Sequence, residues 1–458
     1  MSNAIHRYLS FAILISLFCG TAAAQQHITG TLADGATYVI DVPAKWNGTL
    51  LLYSHGYVTP GSANPAYDVW DGSVASYLLN GGYALAGSSY ATTGWAVHEA
   101  LPDQIATLDV FVSLFGTPAH TIAWGHSMGG IITAGLIQQY PDRFSAAMPM
   151  CGVVAGGVGF WNSVLDSAFA FNTLVAGGTL QVTKASDPTQ NLQNALNYLG
   201  AAQETPQGQA RIALAAALND VVGWVDPSSP EPAPTDYATQ ELNQFYWLAY
   251  ADFTFEFDLR AELEARAGGN PSWNTGVNYA TQLHRSAHYA EVQALYKAAG
   301  LSLDFDLSRL KTAPRIAADP NAENYLIQNI IFNGQISIPV LALHTTGDGL
   351  VPPQGEQAYM TTAREGGNNS FVRDVFVHRA GHCEFTPAET LATLNNLISR
   401  MGKGKWPSLS PANLNSEAFA LGPLLNVLYL NNQLVPTPAA FETYKSAKYL
   451  RPFDAFSH

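Results

Sequence analysis

The chain has 458 residues, 47% of them hydrophobic and 12% charged, which is ample apolar material for a buried core. Its 39 Gly and 26 Pro call for many turns and exclude a coiled coil, and no repeat suggests a solenoid or propeller. With 21 Lys+Arg against 35 Asp+Glu the net charge is −14, which excludes partners recruited by phosphate or anionic-lipid electrostatics.

Residues 1–24 read as an export signal. His6 and Arg7 form a short n-region, and the apolar run from Tyr8 to Phe18 is too short to span a bilayer. Ala22-Ala23-Ala24 supplies the small residues of a cleavage site. Bulky Leu17 and Phe18 before Cys19 argue against lipid attachment there. The expectation is a secreted or periplasmic protein cleaved after Ala24, with no stable membrane anchor. Loss of Arg7 leaves 20 Lys+Arg against 35 Asp+Glu, or −15. Only Cys151 and Cys383 remain, too few for a disulfide scaffold, although in an oxidising compartment the two could pair.

The next segments read as strands. His27–Leu32 and Thr37–Val42 alternate around a turn at Asp34-Gly35, which suggests a hairpin. Thr49–Ser54, Tyr83–Gly87, Thr121–Trp124, Ala146–Met150 and Val340–Leu343 are short unbroken apolar runs. Such runs suit strands covered on both faces of a parallel sheet. Phe371–Val377 is interrupted by Arg373 and Asp374 and reads as a strand nearer an edge. Helical spacing falls between them, at Pro102–Phe115, Met128–Tyr140 and Pro387–Arg400, the last with Thr386 as N-cap. Alternating strand and helix predict an α/β fold with a mostly parallel, doubly wound sheet.

About 185 residues separate Met150 from Ile338, far too many for a structureless loop. Their apolar periodicity at Leu192–Leu199, Gln209–Val222, Glu241–Tyr250 and Tyr289–Ala299 predicts a large, mainly helical cap. Gly156-Gly157-Val158-Gly159 lacks the third glycine of a dinucleotide loop and reads as a hinge into that cap. The expected organisation is a core of residues 25–151 and 337–404, a cap of 152–336, and an irregular tail of 405–458 packed on the core.

Gly125-His126-Ser127-Met128-Gly129 follows one strand and opens one helix. A sharp strand–turn–helix bend holds Ser127 in strained geometry, and the flanking glycines avoid clashes. It also sets the hydroxyl at a helix N-terminus, where free amides favour developing negative charge. A serine hydroxyl needs a general base. His382 sits on a Gly-led loop after a strand and is preferred to His378, which ends that strand. The acid should hold the tautomer of His382. Asp348 follows the apolar strand at Val340–Leu343, whereas Glu384 and Asp374 are too near His382 to come from a separate strand end. The oxyanion donors expected are the amides of Met128 and of Tyr57, the latter aimed by a turn at Gly56.

His55-Gly56-Tyr57, Gly125-His126-Ser127-Met128-Gly129, Gly347-Asp348 and Gly381-His382, in that order, resemble the α/β-hydrolase superfamily. The resemblance covers residues 27–151 and 337–402, and implies a Ser127, His382, Asp348 triad acting through an acyl-enzyme without metal or cofactor. Tannase and feruloyl esterases are similar in one further respect. They carry a Cys beside the serine and another beside the histidine, joined across the site. Here Cys383 follows His382, His126 stands where the first Cys would be, and Cys151 is the available substitute; two free buried thiols are the alternative.

The expected function is therefore hydrolysis of a small-molecule or polymeric carboxylic ester, with no nucleic-acid partner. A prolyl-type peptidase on the same fold is the alternative enzyme, although the chain has no room for a propeller. A binding protein on a dead scaffold is the other alternative, opposed by the intact Ser, Asp and His. His284 and His288 have metal-ligand spacing but no following Glu and no evident third ligand, so a structural role is expected. Of the cap aromatics, among them Phe160, Trp161, Tyr246, Trp247, Phe253, Phe255 and Trp273, most should form its core and a few should wall the substrate pocket.

Overall fold

The computed structural model describes residues 26–457, so the segment read as an export signal lies outside the described residues. In chain order the strands are β1 (Gln26–Thr31), β2 (Thr37–Val42), β3 (Thr49–Ser54), β4 (Ala84–Ser88), β5 (His120–His126), β6 (Ala146–Met150), β7 (Val340–Gly347), β8 (Val372–Ala380), β9 (Val427–Leu430), β10 (Gln433–Pro436) and β11 (Phe441–Glu442). Nine of them make one sheet in the order β1-β2-β4-β3-β5-β6-β7-β8-β11, and β9 and β10 form a separate hairpin. From β4 through β8 the neighbours run parallel. Antiparallel β1, β2 and β11 close the edges.

The helices of the sheet domain begin with α1 (Gly72–Asn80), α2 (Val97–Phe115) and α3 (Met128–Gln139). Between β6 and β7 come α4 (Gly157–Leu174), α5 (Pro188–Gln203), α6 (Pro206–Ala217), α7 (Tyr237–Trp247), α8 (Arg260–Ala267), α9 (Tyr279–Arg285), α10 (Tyr289–Ala298), α11 (Leu303–Thr312) and α12 (Pro320–Gln328). The sheet domain then resumes with α13 (Gln354–Glu365), α14 (Pro387–Lys403) and α15 (Pro411–Ala420).

The sheet is doubly wound, as the unbroken apolar runs predict. Successive side chains of a strand point to opposite faces. On β3, Leu50 and Leu52 join the core beneath α2, α3 and α13, whereas Leu51 and Tyr53 join the core beneath α1 and α14. Both faces are covered, so most positions are apolar, and each fully buried leucine contributes roughly 1.5–3 kcal/mol. The inserted helices enclose a core of their own, with Leu165, Phe171, Leu214, Phe253 and Tyr296 at its centre.

Several elements differ from expectation. α2 starts at Val97 rather than Pro102, and Pro102 lies inside it. The proline removes one backbone bond, but the extra turn buries Val97, Ala100 and Leu101 against the sheet. The glycines read as a hinge into the cap also cap and open its first helix, α4, with Gly156 at the N-cap at φ 83° and Gly157 in the first turn. Gly159 lets the tail pass close, since a Cβ there would lie 3.0 Å from the Arg451 carbonyl oxygen. The tail is less irregular than expected. It contributes α15, the β9–β10 hairpin and edge strand β11, then reaches the inserted helices, where Arg451 Nη1 donates to Asp166 at 2.6 Å.

Candidate active site

The site is built at the end of β5. Ser127 has φ 57° and ψ −121°, a conformation that costs a non-glycine residue about 1–3 kcal/mol and must be enforced by its surroundings. The Ser127 amide donates to the Met150 carbonyl at 2.9 Å, and the Gly130 amide donates back to the Ser127 carbonyl at 2.8 Å. A Cβ at Gly129 would lie 2.0 Å from the Ser54 carbonyl oxygen, and one at Gly125 would lie 2.4 Å from it. Side chains there would push α3 off the sheet, so the two glycines of the motif are steric requirements of the bend.

The bend presents Ser127 Oγ to His382. The hydroxyl lies 2.8 Å from Nε2, and Nδ1 lies 2.7 Å from Asp348 Oδ2. The three side chains, spread over 255 residues of chain, form one continuous hydrogen-bonded row. Asp348 is wholly buried at the end of β7. Burial pushes its carboxyl up, but the His382 and His344 rings outweigh this and hold it below its ordinary value. Its other oxygen, Oδ1, accepts from the Val351 amide at 2.9 Å, which fixes the carboxylate plane.

The loop carrying His382 is held at both ends. Thr345 Oγ1 donates to the Gly381 carbonyl at 2.7 Å, and the Gly381 amide donates to the Gly347 carbonyl at 3.0 Å. Arg379 makes a buried two-pronged pair with Glu389 at 2.6 and 2.9 Å and donates to the Glu384 carbonyl at 2.8 Å. Glu389 also completes a capping box with Thr386, so one carboxylate ties β8 to the start of α14. Cys383, next to His382, is joined in a disulfide to Cys151 at the end of β6, with Cα atoms 5.3 Å apart. Cys151, His382 and Cys383 lie within 4.8 Å of one another, but sulfurs bonded to each other present no thiolate to a metal.

His126, beside the serine, is buried, with Nδ1 3.2 Å from the Tyr53 hydroxyl and its ring against Trp70. Burial first, and the neighbouring His382 second, lower it to about 3, so it stays neutral. On the other side the His55-Gly56-Tyr57 backbone passes close to Ser127; a Cβ at Gly56 would lie 3.4 Å from Ser127 Cβ. Met128 is the first residue of α3, where amides find no intrahelical acceptor. Both segments expected to supply oxyanion donors thus flank Ser127.

The inserted helices cover this row. The Trp247 ring lies on Gly349, where a Cβ would be 2.5 Å from it, and its Nε1 donates to the Trp224 carbonyl at 3.0 Å. Trp224 in turn lies on Gly347, so two cap tryptophans clamp the loop that carries Asp348. Phe255 packs edge-on against Tyr57 with centroids 5.2 Å apart, and Trp161 lies 6.5 Å beyond. Phe255 opens the second of two π-helical turns, Leu248–Asp252 and Phe255–Leu259, that follow Trp247; such bulges recur at functional sites. A surface cavity of about 460 Å³ lined by Phe169, Arg309 and Ile316 lies elsewhere on the cap and includes no member of the row.

The alternatives weighed from sequence lie elsewhere. His378 is half-exposed, pairs with Glu442 at 3.1 Å and packs against Trp224. Asp374 and Glu384 are both pushed up by burial, and neither is hydrogen-bonded to His382. The His284 ring packs at a tilt against Tyr289, and His288 pairs with Glu291 at 2.8 Å. Sequence reasoning missed His344 and Glu356, which pack behind Asp348. The available signal was a lone histidine continuing the apolar strand Val340–Leu343, four residues before Asp348.

Comparison with known proteins adds four findings. A family model described as alpha/beta hydrolase fold matches residues 85–385. The chain is 30% identical over 433 residues to o-phthalyl amidase from Xanthobacter agilis, an alignment covering 85% of this chain and 90% of that one. Among solved structures it is similar to feruloyl esterase B from Aspergillus oryzae, at 14% identity, 83% and 80% coverage and a TM-score of 0.40. It is also similar to the rice cell wall degrading esterase LipA from Xanthomonas oryzae, at 14% identity, 82% and 88% coverage and a TM-score of 0.36.

Proposed function

The chain belongs to the alpha/beta hydrolase fold family, and from that premise we propose that it is a serine hydrolase that cleaves carboxylic esters through an acyl-enzyme. The observation that carries this reading is the row Ser127–His382–Asp348 with contacts of 2.8 and 2.7 Å. His382 Nε2 takes the Ser127 proton as Oγ attacks the acyl carbon. The amides of Met128 and Tyr57 receive the oxyanion, each worth about 10²–10³ in rate. His382 then protonates the departing alcohol, and water enters the same path to release the acid. Tyr57, Phe255 and Trp161 support an aromatic or other apolar acyl group. Export to an oxidising compartment belongs to the same proposal and is supported by the Cys151–Cys383 bond. N-terminal sequencing of the mature protein, expected to begin at Gln25, tests it.

The main experiment is hydrolysis of p-nitrophenyl acetate and butyrate by the wild-type chain and by Ser127→Ala, with fluorophosphonate labelling of Ser127. Ester turnover equal in the two proteins, or no labelling, defeats the reading. A second reading, hydrolysis of an aromatic amide, is favoured by the 30% identity to a protein named o-phthalyl amidase. A matched ester and amide of o-phthalic acid separate the two, since an amidase cleaves the amide while the ester reading expects turnover of the ester alone.

A further inference from the structure

The proposed triad leaves a fully buried histidine unused. His344 continues β7 after Val340, Leu341, Ala342 and Leu343, where an apolar side chain would be the ordinary choice. Burying a polar ring is costly unless its nitrogens find partners. Here both do. Nε2 lies 2.9 Å from the Val351 carbonyl oxygen and 3.4 Å from Asp348 Oδ2, and Nδ1 lies 2.9 Å from Glu356 Oε1. A carbonyl only accepts, so Nε2 carries a proton. Glu356, in the first turn of α13, is itself fully buried.

Asp348 Oδ2 therefore faces two imidazole rings, His382 at 2.7 Å and His344 at 3.4 Å. In the resting enzyme His382 must be neutral to accept from Ser127, so it cannot balance the buried charge of Asp348. A cation beside it favours the ionised carboxylate in that state, adding to the hydrogen bond from the Val351 amide.

We propose that His344 is a positioning residue for the reaction: a buried imidazolium, anchored by Glu356, that shares Asp348 Oδ2 with His382, holds the acid ionised at rest and divides its charge between two rings. The proposal rests on the reading of Ser127, His382 and Asp348 as a triad.

Burial opposes charge on His344, but its contacts with Asp348 and Glu356 outweigh this and raise it to about 10. Burial also raises Glu356, so the two compete for one proton. The second carboxylate at the same ring, Asp348, decides in favour of the protonated histidine. Other titratable groups facing this cluster are Asp252 from the cap, Asp374 from β8, Glu384 from the loop of His382 and Tyr359 from α13. Burial pushes all four towards their neutral forms.

The test uses the full chain. In the wild-type protein, ¹⁵N NMR of the ring should show His344 doubly protonated from about pH 5.5 to about pH 9; a ring that is singly protonated anywhere below about pH 8 overturns the proposal. In His344→Gln the cation is gone, so Asp348 gives its whole charge to the His382 imidazolium. The acid limb of kcat/KM should move up by about one pH unit, and kcat should fall about tenfold. An unmoved acid limb in a folded variant also overturns it. If His344→Gln does not fold, the NMR measurement decides alone. Activity surviving in Ser127→Ala would remove the triad itself, a result distinguishable from either.

Discussion

Asp348→Asn tests the candidate triad most sharply, because the structure dictates which way the new amide points. Asp348 Oδ1 accepts from the Val351 amide at 2.9 Å, so the Asn oxygen must take that place. The NH₂ group then occupies the position of Oδ2, 2.7 Å from His382 Nδ1. A donor there forces Nδ1 to accept, which moves the ring proton to Nε2, 2.8 Å from Ser127 Oγ. The base now offers a proton where it should receive one, and no carboxylate balances the imidazolium. The same NH₂ also meets the N–H of His344, whose Nε2 lies 3.4 Å from Oδ2 in the native chain. A wrong-tautomer substitution of this kind costs about 10⁴ in kcat, or about 5.5 kcal/mol of transition-state stabilisation. The assay is kcat and KM on a p-nitrophenyl ester for the wild type and for Asp348→Asn, with circular dichroism and thermal unfolding to establish that the variant is folded. A folded variant within about tenfold of the wild type would refute the tautomer argument and with it the role of Asp348.

The disulfide closes a span of 232 residues and holds the residue next to His382, so Cys151→Ser with Cys383→Ser, or thorough reduction, should lower stability by about 2–5 kcal/mol and reduce kcat more than it raises KM. Denaturant unfolding and steady-state kinetics check this; unchanged kcat and midpoint would refute it. Gly129→Ala should be destabilised by about 3 kcal/mol or more, because its Cβ would lie 2.0 Å from the Ser54 carbonyl oxygen. Gly200→Ala, in α5 with nothing within 4 Å of its Cβ, should instead gain about 0.5–1 kcal/mol. Similar midpoints for these two variants would refute the steric reading of the motif. Glu256 is raised by burial to about 8, above its ordinary 4.5. Between those values the folded state binds more protons than the unfolded chain, so its contribution to stability falls as pH rises through that window. Denaturant midpoints of Glu256→Gln should therefore fall less steeply than wild type between about pH 5 and about pH 8, and parallel slopes would refute the assignment.

The core of the fold was readable wherever local pattern and tertiary environment agree. β3 and β6 match their apolar runs residue for residue, because strands covered on both faces are mostly apolar at their centres. α14 was readable from Thr386 and Pro387, since a capping box is a contact between neighbours in sequence. The bend at Ser127 was readable for the same reason. α1 and α4 were not anticipated. The signals there, Asp71 capping α1 and glycines opening α4, favour a helix only once packing against the sheet and the tail is present.

What the sequence determined by itself is the chemistry on offer: a serine in a glycine-flanked bend, a histidine on a Gly-led loop, an aspartate after an apolar strand, and two cysteines. What only the tertiary structure decided is their company. The joining of Cys151 to Cys383, the tryptophan clamp of Trp224 and Trp247, and the placing of His344 and Glu356 behind Asp348 all bring together residues from separate elements. The physical reason is range. Periodicity, capping and turn sterics act over a few residues and leave a mark in the sequence, whereas a hydrogen bond or ring contact across the sheet depends on where whole elements pack and leaves none.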